Sequence, residues 1–494
     1  MDRIYEKYND KIMTAEAAAA FIKPGMTIGS SGFGSIGYPK VMGGAIAALG
    51  QAKDLTILSG ASMGREMDGA LADAHMEARR LPYQNNKSLR GELNDGKTAY
   101  IDMHLSHLAE YLYRGDGPHI DFAIIECAAV TAEGIVPPAS VGNISVFCDL
   151  ADKIILEVNE SIPMEIRGMH DIWTPGVPPY TKPIPMMSVD ERIGTDVIPI
   201  DPRKVAAIVL TNDTGSFFTY KEPDEASQAI AANVTEILKN EVAAGRMPKN
   251  LPPLQAGTGS TTNCLLKGLA ESGFTGMRMY TEVIQDPVMD MIRGGIMDKA
   301  SATCLSLSRE GTAEFYKNIT FYRDHVVLRN QEISNNPELA RRLGIVALNT
   351  PLECDIYGNA NSSHVCGTKM MNGIGGSGDF ARNAGLTIFS TESVAKGGAI
   401  SSIVPMCSHI DHTEHDVHII VTEQGYADLR WKSPRERAEL IIENCAHPDY
   451  RPLLHRYVEM TPSGHIPHNL EHCFDFHRAY QKTGDMHHAA ELLQ

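Results

Sequence analysis

The sequence has no excess of basic residues, no C-x-x-C pair and no apolar run long enough to cross a bilayer. Lys and Arg together number 44 against 61 Asp and Glu, a formal charge of −17. That balance argues against a nucleic-acid surface, because phosphate binding needs a basic field. Anionic ligands would have to be held by local Lys, Arg and backbone amides against the global repulsion. The nine cysteines are scattered, which reads as reduced thiols in a cytoplasmic protein; separately, no metal is expected among its cofactors. The apolar run Ala17–Ile22 is too short for a secretory signal, so neither a leader nor a membrane partner is expected.

Several familiar fingerprints are also incomplete. Gly257-Thr258-Gly259 opens a helix at Ser260-Thr261 but lacks the third glycine of a dinucleotide loop and the Gly-Lys-Ser/Thr ending of a P-loop. Its helix-start amides can still hold an anionic group. The run from His409 to His418 is rich in metal-ligand types. It lacks the helical H-E-x-x-H pattern and runs straight into a strand, so polar residues at a sheet edge are the better reading of His409, His412 and His415. Gly60-Ala61-Ser62-Met63-Gly64 matches a hydrolase nucleophile elbow, and a serine hydrolase using Ser62 is kept as a minor alternative.

What is present is a long alternation of strands and helices. With 494 residues the chain is expected to form two large α/β domains, residues 1–220 and 221–494. Strands are predicted at Met26–Ser30, Leu55–Ser59, Tyr100–Met103, Phe122–Glu126, Ile154–Val158 and Val205–Leu210, with a helix over Glu66–Arg80. Asn212–Pro223 reads as the boundary. A long helix follows, with Ile230, Val234, Ile237 and Leu238 on one stripe. The second half adds strands at Ile345–Asn349 and Val417–Thr422, a helix with Pro337 at its first position, and a capping box at Ser433-Pro434-Arg435-Glu436. Phe122–Glu126 and Ile419–Glu423 share a layout, a strand ending in an acid. This predicts two similarly built halves with a cleft between them.

Two stretches concentrate the chemistry. Arg278–Tyr280 reads as the end of a buried strand, which puts Glu282 at a strand's carboxyl end, where open α/β sheets bind ligands. Partial desolvation would make this carboxylate a stronger nucleophile or base. The bland alternative is a solubilising loop acid. The second stretch, Met371–Phe380, holds four glycines in six residues. Such a loop exposes consecutive amides that can hold a phosphate, a pantetheine chain or an oxyanion, whereas a tight turn needs only one or two glycines.

Taken together, Gln255–Ser260, Tyr280–Gln285, Glu332–Glu338, Tyr357-Gly358-Asn359, Gly373–Phe380, Ala395–Gly398 and Thr422–Gly425 resemble the acetyl-CoA hydrolase/transferase family of class I CoA-transferases. The resemblance runs over nearly the whole chain. It implies two open α/β/α domains with the active site between them. It also implies CoA transfer between short-chain carboxylates through a glutamyl-CoA thioester, with acyl-CoA hydrolysis as the alternative. By motif position Glu282 matches the catalytic glutamate and Gly376 a backbone donor near the oxyanion. Asn335 and Glu423 match residues that position the glutamate and the thioester. Gly257, Thr258, Gly259, Ser260, Thr261, Asn372, Gly376 and Lys396 match positions that contact CoA. The implied partners are acyl-CoA and short carboxylates, with no cofactor beyond CoA itself. A homodimer is the default assembly for such enzymes. The chain departs from the pattern at Tyr426 and Trp431, two large side chains near Glu423 in sequence, which puts the carboxylate preference in question.

Overall fold

The computed structural model describes residues 3–217, 219 and 223–493. Two compact units result. The first comprises Met1–Thr219, Arg278–Leu343 and Asn372–Asp379; the second comprises Tyr220–Met277, Gly344–Met371 and Phe380–Gln494. Both units are discontinuous in sequence, and the segments bearing Glu282 and the glycine loop group with the first unit.

The first unit is built on a seven-stranded sheet. Its strands are β1 (Thr27–Ser30), β2 (Leu55–Leu58), β3 (Glu77–Leu81), β4 (Ala99–Tyr100), β5 (Phe122–Cys127), β6 (Lys153–Asn159) and β7 (Val205–Thr211), in the order β7-β6-β5-β1-β2-β3-β4. The pairs are parallel throughout. A parallel sheet is covered on both faces, which is why β5 reads Phe-Ala-Ile-Ile-Glu-Cys and is buried along its whole length. The same unit holds the parallel strands Met297–Ala302, Val326–Arg329 and His170–Asp171. Strand Met277–Tyr280 ends two residues before Glu282, and Val283–Ile284 then pairs in parallel with Cys304–Leu305.

One expected helix is cut short. Helical backbone covers Arg65–Asp73 only, and Glu77–Leu81 is a strand paired with β2. His75 adopts φ +53, a left-handed conformation that stops the helix. Tertiary contacts then claim Arg80. Its Nη1 donates to Asp68 Oδ1 at 2.8 Å and its Nη2 to Ser59 Oγ at 2.7 Å, with no exposed side-chain surface. The strand read at Tyr100–Met103 ends at Tyr100, and that read at Val417–Thr422 begins at Ile419.

The second unit carries strands Leu254–Ala256, Val346–Asn349, Leu386–Ser390 and Ile419–Thr422 in parallel, with Gly425–Asp428 returning antiparallel. Helix Glu225–Ala243 is capped by Asp224 and buries Ile230, Val234, Ile237 and Leu238. Helix Pro434–Cys445 opens on the Ser433/Glu436 capping box. Among the described residues no helix is long and apolar enough to cross a membrane.

Replacing Arg80 with Ala leaves Asp68 buried without its counter-charge. The variant is expected to lose about 3 kcal/mol or more of stability, read by urea unfolding. Unchanged stability would show that the pair contributes nothing.

Candidate active site

Glu282 is half-buried just beyond the Met277–Tyr280 strand. Its backbone is fixed from across the turn, where Thr303 and Cys304 N–H both donate to its carbonyl, at 3.0 and 3.2 Å. Val283 packs with Phe33, Ala61, Leu105 and Cys304 in a small apolar cluster. The carboxyl end is thus held rigidly while the side chain is left to project. Asn335 Nδ2 donates to Glu282 Oε2 at 2.7 Å, and Oε1 has no hydrogen-bond partner among the described residues. Burial pushes the Glu282 carboxyl up to about 7, against the lowering effect of the Asn335 hydrogen bond.

Asn335 is itself fixed. Ser334 Oγ donates to Asn335 Oδ1 at 2.8 Å, which sets the amide so that its NH2 faces the carboxyl. Tyr280 Oη donates to the Ile333 carbonyl and accepts from Asn336 N–H at 3.1 Å. The strand that leads to Glu282 therefore also anchors the turn that carries Asn335.

The glycine loop closes over this pair. A side chain at Gly376 would overlap Glu282 Oε2 and Asn335 Nδ2. No described residue accepts the Gly376 N–H, which leaves it free to meet a negative oxygen. Gly373, at φ +155, passes against Tyr100 and Asp102, and Gly378 against the His104 ring. The glycine density is therefore explained largely by close backbone approach to side chains, in addition to any ligand it serves. Asp102 accepts from Ile374 N–H at 3.0 and 3.1 Å, and Tyr100 Oη donates to the Asn372 carbonyl at 2.8 Å. The side-chain oxygen of Asn372 is buried without a partner among the described residues.

Sequence reasoning missed Asp379 and Ser106. Asp379 is buried, and it accepts from Ser106 Oγ at 2.6 Å and Ser106 N–H at 3.1 Å. Burial pushes its carboxyl up to about 8; the Ser106 bonds oppose this, the nearby Glu282 charge adds to it, and a hydrogen bond from Asn335 lowers it. One amide thus serves two carboxyls that cannot easily ionise together. An acid directly after the glycine run was visible in the sequence. Nothing marked Ser106.

The other expected residues lie in the second unit. Glu423 follows strand Ile419–Thr422 and accepts from Ser393 N–H at 2.8 Å, from Ser393 Oγ and from Gln424 Nε2 at 3.0 Å. Its carboxyl is lowered by these bonds in spite of burial. Ser393 precedes the hairpin Val394–Ala395/Ile400–Ser401, whose exposed turn carries Lys396 beside Tyr480. Gly257–Thr261 is partly exposed, and Gly259 at φ +133 precedes helix Ser260–Glu271. Tyr426 Oη reaches Glu236 at 3.3 Å and Trp431 is fully exposed, so the two bulky departures turn toward a helix and toward solvent.

The alternative sites are occupied structurally. Ser62 is 1% exposed, and its Oγ accepts from Gly64 N–H at 3.2 Å within its own turn. His409 bonds Asp411, His412 packs buried on Phe389, and His415 sits beside Glu414 on the surface. Among the described residues the one His/Cys/Asp/Glu grouping with metal-like spacing is the surface set His119, Asp121 and Asp152.

The chain is similar to known proteins along nearly its whole length. The N-terminal domain of acetyl-CoA hydrolase/transferase matches residues 1–210 and the C-terminal domain matches residues 311–458. The chain is 50% identical over 488 residues to succinyl-CoA:acetate CoA-transferase of Clostridium kluyveri, covering 97% of this chain and 91% of that protein. It is 44% identical over 485 residues to propanoyl-CoA:succinate CoA transferase of Escherichia coli, covering 96% and 98%. Its fold matches the crystal structure of RipA from Yersinia pestis with a TM-score of 0.69 at 21% identity, over 91% of this chain and 97% of that one. Matched by both family models and similar along nearly its whole length to these relatives, the chain belongs to the acetyl-CoA hydrolase/transferase family.

Proposed function

We propose that the protein moves CoA between short-chain carboxylates such as acetate, propionate, butyrate or succinate, with Glu282 as nucleophile. The observation that carries this reading is the Glu282 carboxyl, raised by burial, steered by Asn335 through Oε2 and left with Oε1 free. Oε1 attacks the acyl-CoA carbonyl; the C–S bond breaks, and CoA leaves as a thiolate from an acyl-glutamyl anhydride. The thiolate then attacks the glutamyl carbonyl, the donor carboxylate departs, and a glutamyl-CoA thioester remains. The acceptor carboxylate runs the same steps in reverse. This is covalent catalysis, one difficult exchange divided into easier ones. Exchange between carboxylates is close to energetically neutral, so neither ATP nor a metal is required.

In this mechanism the unclaimed Gly376 amide receives each oxyanion, an interaction typically worth about 3 kcal/mol of barrier. The free Asn372 side-chain oxygen suits an amide N–H of the pantetheine arm. The loop of Gly257, Thr258, Gly259, Ser260 and Thr261, at the start of its helix, and the ammonium of Lys396 suit the anionic end of CoA. Glu423, locked to Ser393, holds the base of the Lys396 hairpin. The anhydride must be kept from water, which separates a transferase from a hydrolase. We also assign the protein to the cytoplasm as a homodimer, in keeping with nine free thiols and with the commonest symmetric assembly.

Initial rates should follow ping-pong kinetics and depend on added carboxylate; CoA release independent of any carboxylate would indicate hydrolysis instead. Glu282→Ala should lower transfer by about 10⁴-fold or more. Activity within tenfold of wild type would remove Glu282 as nucleophile. Because attack needs the ionised carboxylate, kcat/KM should fall as pH drops through about 7. Asn335→Ala removes a hydrogen bond that favours the charged form, so this limb should move up by about one pH unit. An unmoved limb would assign it to another group.

A further inference from the structure

Gln331 opens the one-turn helix Gln331–Ser334 that delivers Asn335, yet the reaction above gives it no part. Its side chain is fully buried. Nε2 donates to the Leu105 carbonyl at 2.6 Å, a contact between segments 226 residues apart. Oε1 is buried with no partner among the described residues. An amide satisfied at only one end is a poor way to stabilise a core, where an apolar side chain of the same shape carries no such cost. Room is nevertheless kept for it: a side chain at Gly60 would come within 3.2 Å of Gln331 Oε1. What the amide achieves is the placing of Leu105.

Leu105 in turn grips the glycine loop. Its N–H donates to the Gly375 carbonyl at 3.3 Å. That carbonyl and the Gly376 N–H belong to one peptide unit, which is planar and trans, so the two groups point in opposite directions. Holding the carbonyl toward Leu105 therefore aims the Gly376 N–H away from it, on the residue that borders Glu282 Oε2 and Asn335 Nδ2. A peptide plane between two glycines can turn over with little steric penalty, and the bond from Leu105 opposes that. Gln331 stands behind the second donor as well, because its own carbonyl accepts Asn335 N–H at 3.0 Å. One residue thus supports the Asn335 amide through the main chain and the Gly376 N–H through its side chain and Leu105.

We propose that Gln331 is a positioning residue of the oxyanion site, holding the Gly376 N–H in line through the carbonyl and N–H of Leu105. The inference rests on the CoA-transfer reading and names the residue that aims its oxyanion donor. Gln331 acts at one remove, so its loss should leave ground-state binding alone and slow the step in which negative charge develops on the acyl oxygen.

The test is quenched-flow mixing of the full-length protein with the faster of acetyl-CoA and succinyl-CoA, at saturation and without acceptor acid, following CoA attached to Glu282. The first-order rate constant reports the chemistry of each competent molecule, and the final amplitude counts how many there are. Gln331→Met, nearly isosteric but without a donor, should lower the rate constant by about 10- to 100-fold, the scale expected for an oxyanion donor set out of place. Half-saturation by the acyl-CoA should stay within about threefold of wild type. Gln331→Glu keeps the shape and, being buried, a proton to donate, so it should recover most of the loss. Gln331→Asn, one methylene too short to reach Leu105, should be as slow as Gln331→Met and gives the same reading should Gln331→Met fail to fold. Rate constants within about threefold of wild type in Gln331→Met or Gln331→Asn, with any loss confined to the amplitude, would overturn the proposal and leave Gln331 a packing residue. Equal slowing in Gln331→Met and Gln331→Glu would also overturn it, since no donated hydrogen would then be at work. Wild type that forms no Glu282 adduct would remove the CoA-transfer reading, and this inference with it.

Discussion

The hydrogen bond from the Asn335 amide to Glu282 is the interaction on which the rest of the site depends. A carboxylate withdrawn from water gains nucleophilic strength but tends to take up a proton, which destroys it as a nucleophile. One donor to the charged form offsets part of that penalty while leaving the other oxygen free. The result is a carboxyl whose titration lies near neutral pH, where both reactivity and ionisation are available.

Much of the surrounding structure serves that one contact. Ser334 fixes the amide so that nitrogen faces the carboxyl. Tyr280 ties the turn carrying Asn335 to the strand that delivers Glu282. Asp379 takes the same amide from another direction and is held in turn by Ser106. The second carboxyl adds a cost, since two neighbouring negative charges repel. Its burial resolves the conflict by favouring the protonated form of Asp379, so Glu282, the proposed nucleophile, can be the member that ionises. Gly376 completes the arrangement, because any larger residue there would strike Glu282 or Asn335.

The α/β class was legible because buried parallel strands announce themselves as apolar runs. Phe122–Cys127, Lys153–Asn159 and Val205–Thr211 were all anticipated to within two residues. Glu77–Leu81 was not, because Glu-Ala-Arg-Arg-Leu carries charges that a central strand normally excludes. Its identity as a strand depends on Asp68 and Ser59 receiving Arg80, a pairing only the fold reveals. At the site, Glu282 and Gly376 were marked by local pattern. Asn335 lies 53 residues beyond Glu282 and was found through resemblance alone. Ser106 carried no signal at all, since its role exists only once Asp379 folds against it. Tyr426 and Trp431 are placed by the fold in ways the sequence did not mark. The Tyr426 hydroxyl reaches Glu236, and the Trp431 ring is exposed to solvent.

The central claim is that Glu282 exchanges its own oxygen for the sulphur of CoA. The most direct measurement is peptide mass mapping after incubation with acyl-CoA in the absence of any acceptor acid, with borohydride used to reduce the trapped thioester. The account predicts CoA on the peptide containing Glu282, and reduction of that residue to its alcohol. An active preparation in which Glu282 stays unmodified, or in which CoA appears on another side chain, would contradict it.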